Sequence, residues 1–139
     1  MKDKKDKIVV GITHGDINGI GYEIMIKTLA APRITEFCTP IVYGSPKAFA
    51  FYRKHLGIEN FSLNLITKPS EANPKRANII NCMDDSVKVE AGQSTKQAGE
   101  GAVAALQMAI KDMKDGHIDA LLTAPINKKN VQSDKYNFP

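Results

Sequence analysis

Short apolar runs alternate with segments of helical spacing along this chain. Five runs have the length and β-branched composition of buried strands, at residues 8–13, 39–44, 61–67, 77–82 and 118–123. Between most of them, apolar residues recur three and four positions apart, which is the spacing of an amphipathic helix. This alternation predicts a single α/β domain over residues 1–139, a three-layer α/β/α arrangement with a mostly parallel sheet.

The segment Ile8–Glu23, IVVGITHGDINGIGYE, passes from a strand through a glycine-rich turn into a helix. Its glycines permit positive φ and close approach of the backbone to other groups. Unpaired N–H groups and the positive end of the helix dipole meet at such a turn, which favours a phosphate or a carboxylate. Two interpretations stay open: a structural turn between strand and helix, or a loop that binds an acidic ligand.

Two nucleotide-binding motifs are excluded at this turn. A dinucleotide fingerprint requires G-x-G-x-x-G, but after Gly19 and Gly21 the third position is Ile24. A P-loop requires Lys followed by Ser or Thr after its last glycine, whereas Gly19 is followed by Ile20. The turn therefore carries no recognised nucleotide motif.

The longest predicted helix covers residues 94–116. Ser94 and Gln97 have the spacing of a capping box at its start. Gly99 and Gly101 interrupt it, and each glycine costs up to ~1 kcal/mol relative to alanine. We therefore expect these glycines to serve packing or a site.

The last predicted strand leads into a second polar segment. Ile118–Thr123 is followed by Pro125, which suits the first turn of a helix. Asn127 and Lys128 then lie at the carboxyl edge of the sheet, where the loop of residues 15–21 also lies. Ligands of open parallel sheets bind outside this edge, so the two segments should face one crevice.

ITHGDINGIGYE and LLTAPINKK together resemble the 4-hydroxythreonine-4-phosphate dehydrogenase (PdxA) family. That family has a Gly-Asp-Pro-x-Gly-Ile-Gly-Pro-Glu loop after its first strand and a Thr-Ala-Pro-Ile-Asn-Lys segment further along. The matching residues are Gly15, Asp16, Gly19, Ile20, Gly21, Glu23, Thr123, Ala124, Pro125, Ile126, Asn127 and Lys128. Two motifs in the family's order are far more specific than either motif alone.

The resemblance implies an isocitrate/isopropylmalate dehydrogenase-like fold and a role in pyridoxal phosphate (vitamin B6) biosynthesis. It implies oxidation and decarboxylation of 4-phosphohydroxy-L-threonine with NAD or NADP and a divalent metal (Zn, Mg or Co), in a homodimer. The family continues from Phe-Pro into Gly-His-Thr-Glu, whereas this sequence stops at Phe138-Pro139. We therefore expect the N-terminal part of a longer two-domain enzyme, inactive alone, with the metal and most cofactor contacts beyond Pro139.

Three residues of the first motif differ from the family pattern. His14 stands where methionine is usual, and Ile17 and Tyr22 replace two prolines. These differences leave open a related dehydrogenase that acts on threonate or erythronate phosphate. A non-catalytic anion-binding or protein-interaction module also stays open, because the chain contains no complete catalytic set.

The candidate substrate-binding residues are Asp16, Asn127 and Lys128. Asp16 could orient a substrate hydroxyl or cap its own loop, and Asn127 could bridge loop and ligand or serve structurally. Lys128 could hold an anionic group as a point charge or simply face solvent. His14 could act as a base or as a hydrogen-bonded structural histidine. No catalytic residue or metal ligand is assigned, because the histidines lie in separate elements.

Composition narrows the function classes. Hydrophobic residues make up 42% of the chain and charged residues 24%, as in ordinary soluble α/β proteins. The net charge of +4 comes without a basic stripe interleaved with aromatics, which argues against nucleic-acid binding. The sequence shows no signal-peptide pattern and no membrane span. We predict a cytoplasmic protein whose partner is a small phosphorylated hydroxy acid.

Overall fold

Five parallel strands form one sheet in the computed structural model, which describes residues 7–131; the Phe138-Pro139 ending lies outside this range. The strands are β1 (Ile8–Thr13), β2 (Cys38–Gly44), β3 (Asn64–Ile66), β4 (Asn78–Asn81) and β5 (Ala120–Thr123). The helices are α1 (Gly21–Leu29), α2 (Ile34–Phe37), α3 (Pro46–His55) and α4 (Lys96–Lys114), with a 3-10 helix at Pro69–Glu71. The strand order is β3-β4-β2-β1-β5, and every pairing is parallel.

The sheet has a core on each face, and the central strand β2 contributes to both. Val42 packs in a cluster with Tyr22 of α1 and Phe49 of α3. Tyr43, the next residue, packs in a second cluster with Ala105 of α4. Successive side chains of a strand point to opposite faces, so one buried strand supplies both cores. The predicted three-layer α/β/α fold is confirmed.

The predicted cap of α4 is wrong by one residue. Thr95 has extended backbone angles, and its Oγ1 accepts the hydrogen bond from the Ala98 amide at 3.1 Å. Ser94 therefore lies outside the helix. Gln97 completes no capping box, because its Oε1 accepts instead from the amide of Lys88 at 2.9 Å.

Other boundaries also differ from the sequence prediction. The third strand is limited to Asn64–Ile66, and just before it the Phe61 carbonyl accepts a hydrogen bond from the Arg53 guanidinium instead of joining the sheet. Within the described residues no helix begins at Pro125. A helical turn begins two residues later, where the Asn127 carbonyl accepts from the amide of residue 131 at 3.3 Å.

The two glycines of α4 serve close packing, as expected. A Cβ at Gly99 would lie 1.9 Å from the carbonyl oxygen of Asn130. A Cβ at Gly101 would lie 2.6 Å from the terminal methyl of Met83. At Gly99 the contact is with backbone, so α4 reaches this position only with glycine there; at Gly101 a larger residue would have to displace the flexible Met83 side chain.

His14 connects β1 to helices on both faces of the sheet. Its side chain is fully buried; Nδ1 lies 2.8 Å from the Tyr22 hydroxyl and Nε2 lies 2.9 Å from the Gly101 carbonyl oxygen. Because a carbonyl only accepts, Nε2 carries the proton and Nδ1 accepts from Tyr22. The Tyr22 hydroxyl in turn accepts from the Ser45 amide at 2.8 Å. His14 is therefore the structural histidine of the two alternatives.

This burial predicts a specific loss of stability in acid. Burial lowers the pKa of His14 to about 4 from 6.5, the value expected in the unfolded chain. The unfolded state therefore binds more protons between these values. Above pH 6.5 neutral His14 causes no loss in the free energy of unfolding. As the pH drops to 4, the free energy of unfolding falls by about 3 kcal/mol, at ~1.4 kcal/mol per pKa unit.

Urea unfolding of the native chain and of His14→Gln at a series of pH values measures this loss. Glutamine can donate and accept hydrogen bonds but does not titrate, while all other groups stay the same. The native chain should lose more free energy of unfolding than the variant as the pH falls. An equal loss in both proteins would show that His14 does not resist protonation.

Candidate functional site

The two polar segments meet at the carboxyl edge of the sheet, as predicted. The amide of Asp16 donates to the carbonyl oxygen of Pro125 at 3.0 Å, and the amide of Ala124 donates to the Thr13 carbonyl at 3.0 Å. Gly15 has a φ of 66°, and a Cβ there would lie 2.3 Å from the Pro125 oxygen. Glycine is thus required for both conformation and space at this contact.

A second glycine of the loop also faces protein atoms. A Cβ at Gly21 would lie 2.9 Å from the His14 carbonyl oxygen and 3.1 Å from the Cβ of Ala124. The room left by the absent side chain is therefore filled by the backbone of residues 124–125 at Gly15, and by the His14 carbonyl together with Ala124 at Gly21.

Asp16 stabilises its own loop with one of its two carboxylate oxygens. The side chain is 8% exposed, and Oδ1 accepts from the Asn18 amide at 2.9 Å. The Asp16 carbonyl also accepts from the Gly19 amide at 3.0 Å. Oδ2 takes no hydrogen bond from a described residue. The loop-capping role is observed, while the second oxygen leaves room for a contact with substrate.

Asn127 and Lys128 follow the junction directly, on the turn of residues 127–131. Asn127 Oδ1 accepts from the amides of Lys129 at 2.9 Å and Asn130 at 3.2 Å, which is helix-cap geometry. Asn127 therefore has the structural role that was one of its alternatives. Lys128 is exposed and forms no ion pair with any residue from 7 to 131.

Asn18, to which the sequence analysis assigned no role, joins the loop to the entry of α4. Its Oδ1 accepts from the Glu90 amide at 2.7 Å, and its Nδ2 lies 3.2 Å from Thr95 Oγ1. Its carbonyl accepts from the Gly92 amide at 2.8 Å. Asn18 is 4% exposed, so these bonds are shielded from water. No local signal identified these partners, because they lie far along the chain.

One buried polar group near this junction has no hydrogen-bond partner among residues 7–131. Both polar atoms of the Asn130 side chain are buried and unbonded, where the turn packs against Gly99 of α4. Leaving such a group unsatisfied costs about 1–3 kcal/mol. The turn that carries Lys128 is consequently the least well satisfied part of the edge.

The described residues do not fit a metal site. No group of three or more His, Cys, Asp or Glu side chains comes together among residues 7–131. Both ring nitrogens of His14 are already bonded, and His55 and His117 lie on separate elements. Cys38 and Cys82 are free thiols. We therefore assign no chemical step in these residues to a metal.

Between residues 7 and 131, no helix combines the length and the apolarity needed to span a membrane.

The fold and the edge junction define a three-layer α/β domain in which two polar loops meet at the carboxyl edge of the sheet. The family model for pyridoxal phosphate biosynthetic protein PdxA matches residues 36–139. The chain therefore belongs to the PdxA family.

Individual relatives agree with this assignment. The chain is 47% identical over 137 residues to 4-hydroxythreonine-4-phosphate dehydrogenase of Bacteroides thetaiotaomicron, covering 98% of this chain and 37% of the relative. It is 32% identical over 134 residues to D-threonate 4-phosphate dehydrogenase of Cupriavidus necator, covering 94% of this chain and 40% of the relative. The chain thus spans about two fifths of the length of these relatives.

Solved structures show the same fold. A 4-hydroxythreonine-4-phosphate dehydrogenase from Burkholderia phymatum matches with a TM-score of 0.80 at 30% identity, over 91% of this chain and 39% of that chain. The enzyme of that name from Klebsiella pneumoniae matches with a TM-score of 0.82 at 27% identity, over 93% and 40%. The predicted isocitrate dehydrogenase-like fold is confirmed.

The close contact at Gly15 predicts that alanine costs more stability at Gly15 than at Gly57, although the two glycines have nearly equal φ. Gly15 has a φ of 66° and Gly57 a φ of 69°, but a Cβ at Gly57 would meet nothing within 4 Å. Gly57→Ala should therefore lower the free energy of unfolding by only roughly 1–2 kcal/mol, the cost of the left-handed conformation for a residue with a Cβ. Gly15→Ala should lose about 1–3 kcal/mol more, because the backbone at Pro125 must move.

Urea unfolding of the two variants beside the native chain measures both costs. The Gly57 variant is the control for conformation alone. Equal losses in the two variants would mean that the two segments are not held in contact in solution.

Proposed function

We propose that this domain forms the substrate-binding edge of an NAD- or NADP-linked, metal-dependent dehydrogenase of phosphorylated hydroxy acids. The backbone hydrogen bond from Asp16 to Pro125 supports the proposal, because it joins the loop of Asp16 to the segment that leads into Asn127 and Lys128. A carboxylate suits a substrate hydroxyl, and an exposed ammonium suits a phosphate as a point charge. These two groups match the two ends of a phosphorylated hydroxy acid.

The proposed substrate is 4-phosphohydroxy-L-threonine, which would be oxidised and decarboxylated on the way to pyridoxal phosphate. The 47% identity to the dehydrogenase of 4-hydroxythreonine 4-phosphate supports it over the threonate phosphate alternative, where the identity is 32%. His14, Ile17 and Tyr22 depart from the family's loop pattern. All three are buried, so they support the loop from the protein interior. Threonate or erythronate phosphate is therefore the second candidate.

In this proposal the chain's own residues bind and orient the substrate. Asp16 keeps Oδ1 on the Asn18 amide and turns Oδ2 to the substrate, and Lys128 attracts the phosphate. Asn127 holds the turn that presents Lys128. The dinucleotide and a divalent metal (Zn, Mg or Co) would need ligands from further polypeptide. The proposed enzyme is a homodimer located in the cytoplasm.

A fusion protein tests the activity. This chain replaces the matched 37% of the B. thetaiotaomicron relative, so that the rest of that enzyme supplies the remaining groups. Reduction of NAD or NADP is followed with each candidate phosphorylated acid, with added Mg²⁺, Zn²⁺ or Co²⁺ and with EDTA. Metal-dependent turnover of 4-phosphohydroxy-L-threonine is expected. A folded fusion that turns over none of the acids would contradict the proposal and favour an anion-binding module.

Lys128→Ala in this fusion should raise KM for the phosphorylated substrate about tenfold, equivalent to ~1.4 kcal/mol of lost binding. Lys129→Ala is the matched control, since Lys129 is the adjacent exposed lysine. Equal effects of the two substitutions would indicate a general charge effect and remove the assigned role of Lys128.

Asp16→Asn separates the two functions of the Asp16 carboxylate. Asparagine keeps an oxygen for the Asn18 amide, so the loop and the thermal stability should be retained. It loses the negative charge that would orient the substrate hydroxyl, and kcat/KM should fall at least tenfold. Unchanged kcat/KM in a stable variant would limit Asp16 to its loop-capping role.

A further inference from the structure

Asn18 is not needed for the backbone conformation of the glycine-rich loop. Asparagine is favoured in turns at positions with positive φ, but among residues 7–131 only glycines have positive φ. The side chain is nevertheless 4% exposed and bonded to distant residues. Oδ1 accepts from the Glu90 amide at 2.7 Å, and Nδ2 lies 3.1 Å from the Gln93 carbonyl oxygen and 3.2 Å from Thr95 Oγ1. Both protons of the side-chain amide are therefore used on the segment of residues 90–95.

The main chain of Asn18 holds the Asp16 carboxylate. Its amide donates to Asp16 Oδ1 at 2.9 Å, and its carbonyl accepts from the Gly92 amide at 2.8 Å. One residue is thus bonded to Asp16 on one side and to residues 90–95 on the other. A shift of Asn18 would move the donor that fixes the Asp16 carboxylate.

The first turn of α4 contacts both segments of the candidate site. Thr95, whose hydroxyl caps α4, is the residue that lies 3.2 Å from the Asn18 side chain. Gly99, four residues later, packs so closely on the Asn130 carbonyl that a Cβ would lie 1.9 Å from its oxygen. Asn130 belongs to the turn that carries Lys128. The start of α4 is therefore a common support for the two segments.

We propose that Asn18 is the positioning residue for the Asp16 carboxylate. It fastens the loop to residues 90–95 and α4, so that Asp16 Oδ2 meets the substrate on the edge that also carries Lys128. Asn18 itself does not touch the substrate. The inference rests on the proposed function, from which it takes the role of Asp16. Misplacing a group by about 1 Å can cost roughly 100-fold in rate, so the fastening of a short loop affects turnover.

Amide hydrogen exchange of the 139-residue chain tests the positioning without any activity. The residue-18 amide remains in Asn18→Ala and is measured there and in the native chain, after correction for the intrinsic rate of each sequence. Its exchange should become about tenfold faster or more, because the side-chain bonds that hold the loop are lost. The Asp115 amide, at the far end of α4, should exchange at the same rate in both proteins.

Ser94→Ala is the matched control, since Ser94 is exposed and adjacent to Thr95. It should leave exchange of the residue-18 amide unchanged. Unchanged exchange in Asn18→Ala, or equal acceleration in Ser94→Ala, would overturn the proposal. If Asn18→Ala does not fold, Thr95→Val is measured instead; it removes the hydroxyl near Nδ2 and should accelerate the same amide, and no acceleration would overturn the proposal.

Turnover by the fusion protein separates positioning from a merely structural role. Asn18→Ala should lower kcat about tenfold or more and leave KM within about threefold, because Lys128 and the Asp16 charge are retained. Asp16→Asn combined with Asn18→Ala should be no slower than Asp16→Asn alone, since Asn18 acts through Asp16. Losses that multiply in the double variant would contradict the proposal.

Failure of the proposed function is recognised separately. A folded, unsubstituted fusion that turns over none of the acids contradicts that function. The exchange experiment then still decides whether Asn18 holds the Asp16 carboxylate in place.

Discussion

The close approach of Gly15 to Pro125 is the constraint on which the site depends. Two segments far apart in the sequence are joined there by the backbone hydrogen bond from the Asp16 amide to the Pro125 oxygen. The approach is so close that a single added carbon would lie 2.3 Å from that oxygen. The parallel pairing of β1 with β5 brings the segments to the same edge, and glycine allows them to touch. The proposal that Asp16 and Lys128 share one site depends on this contact.

Buried side chains hold the first loop in position behind the contact. Tyr22 and Tyr52 stack with ring centroids 5.6 Å apart, and the Tyr52 hydroxyl donates to the Ile17 carbonyl. His14 and Asn18 connect the same loop to α4 and its entry. The family pattern has prolines at two of these positions, which restrict the backbone directly. In this chain, tertiary hydrogen bonds from tyrosine hydroxyls fix the loop instead.

The sequence predicted the fold class, the family and the meeting of the two loops because each rests on strong local patterns. Buried strands read as β-branched runs, and parallel strands must place their carboxyl ends at one edge. The partners of Asn18 could not be predicted, because they are backbone groups of residues 90–93 and the Thr95 hydroxyl, which carry no local signature. The cap of α4 was misplaced since Ser94 and Thr95 are both good capping residues and only backbone geometry chooses between them. The substrate roles of Asp16, Asn127 and Lys128 remain predictions.

Nuclear magnetic resonance of the 15N-labelled chain tests most directly whether the two loops form one binding edge. The amide signals are followed while 4-phosphohydroxy-L-threonine is added, with inorganic phosphate as a parallel titration. Amides of residues 16–19 and 127–129 should shift together with a single dissociation constant, while Gly57 and Gly116, on remote turns, stay unchanged. Shifts confined to one loop, or none in either loop at millimolar substrate, would contradict the account.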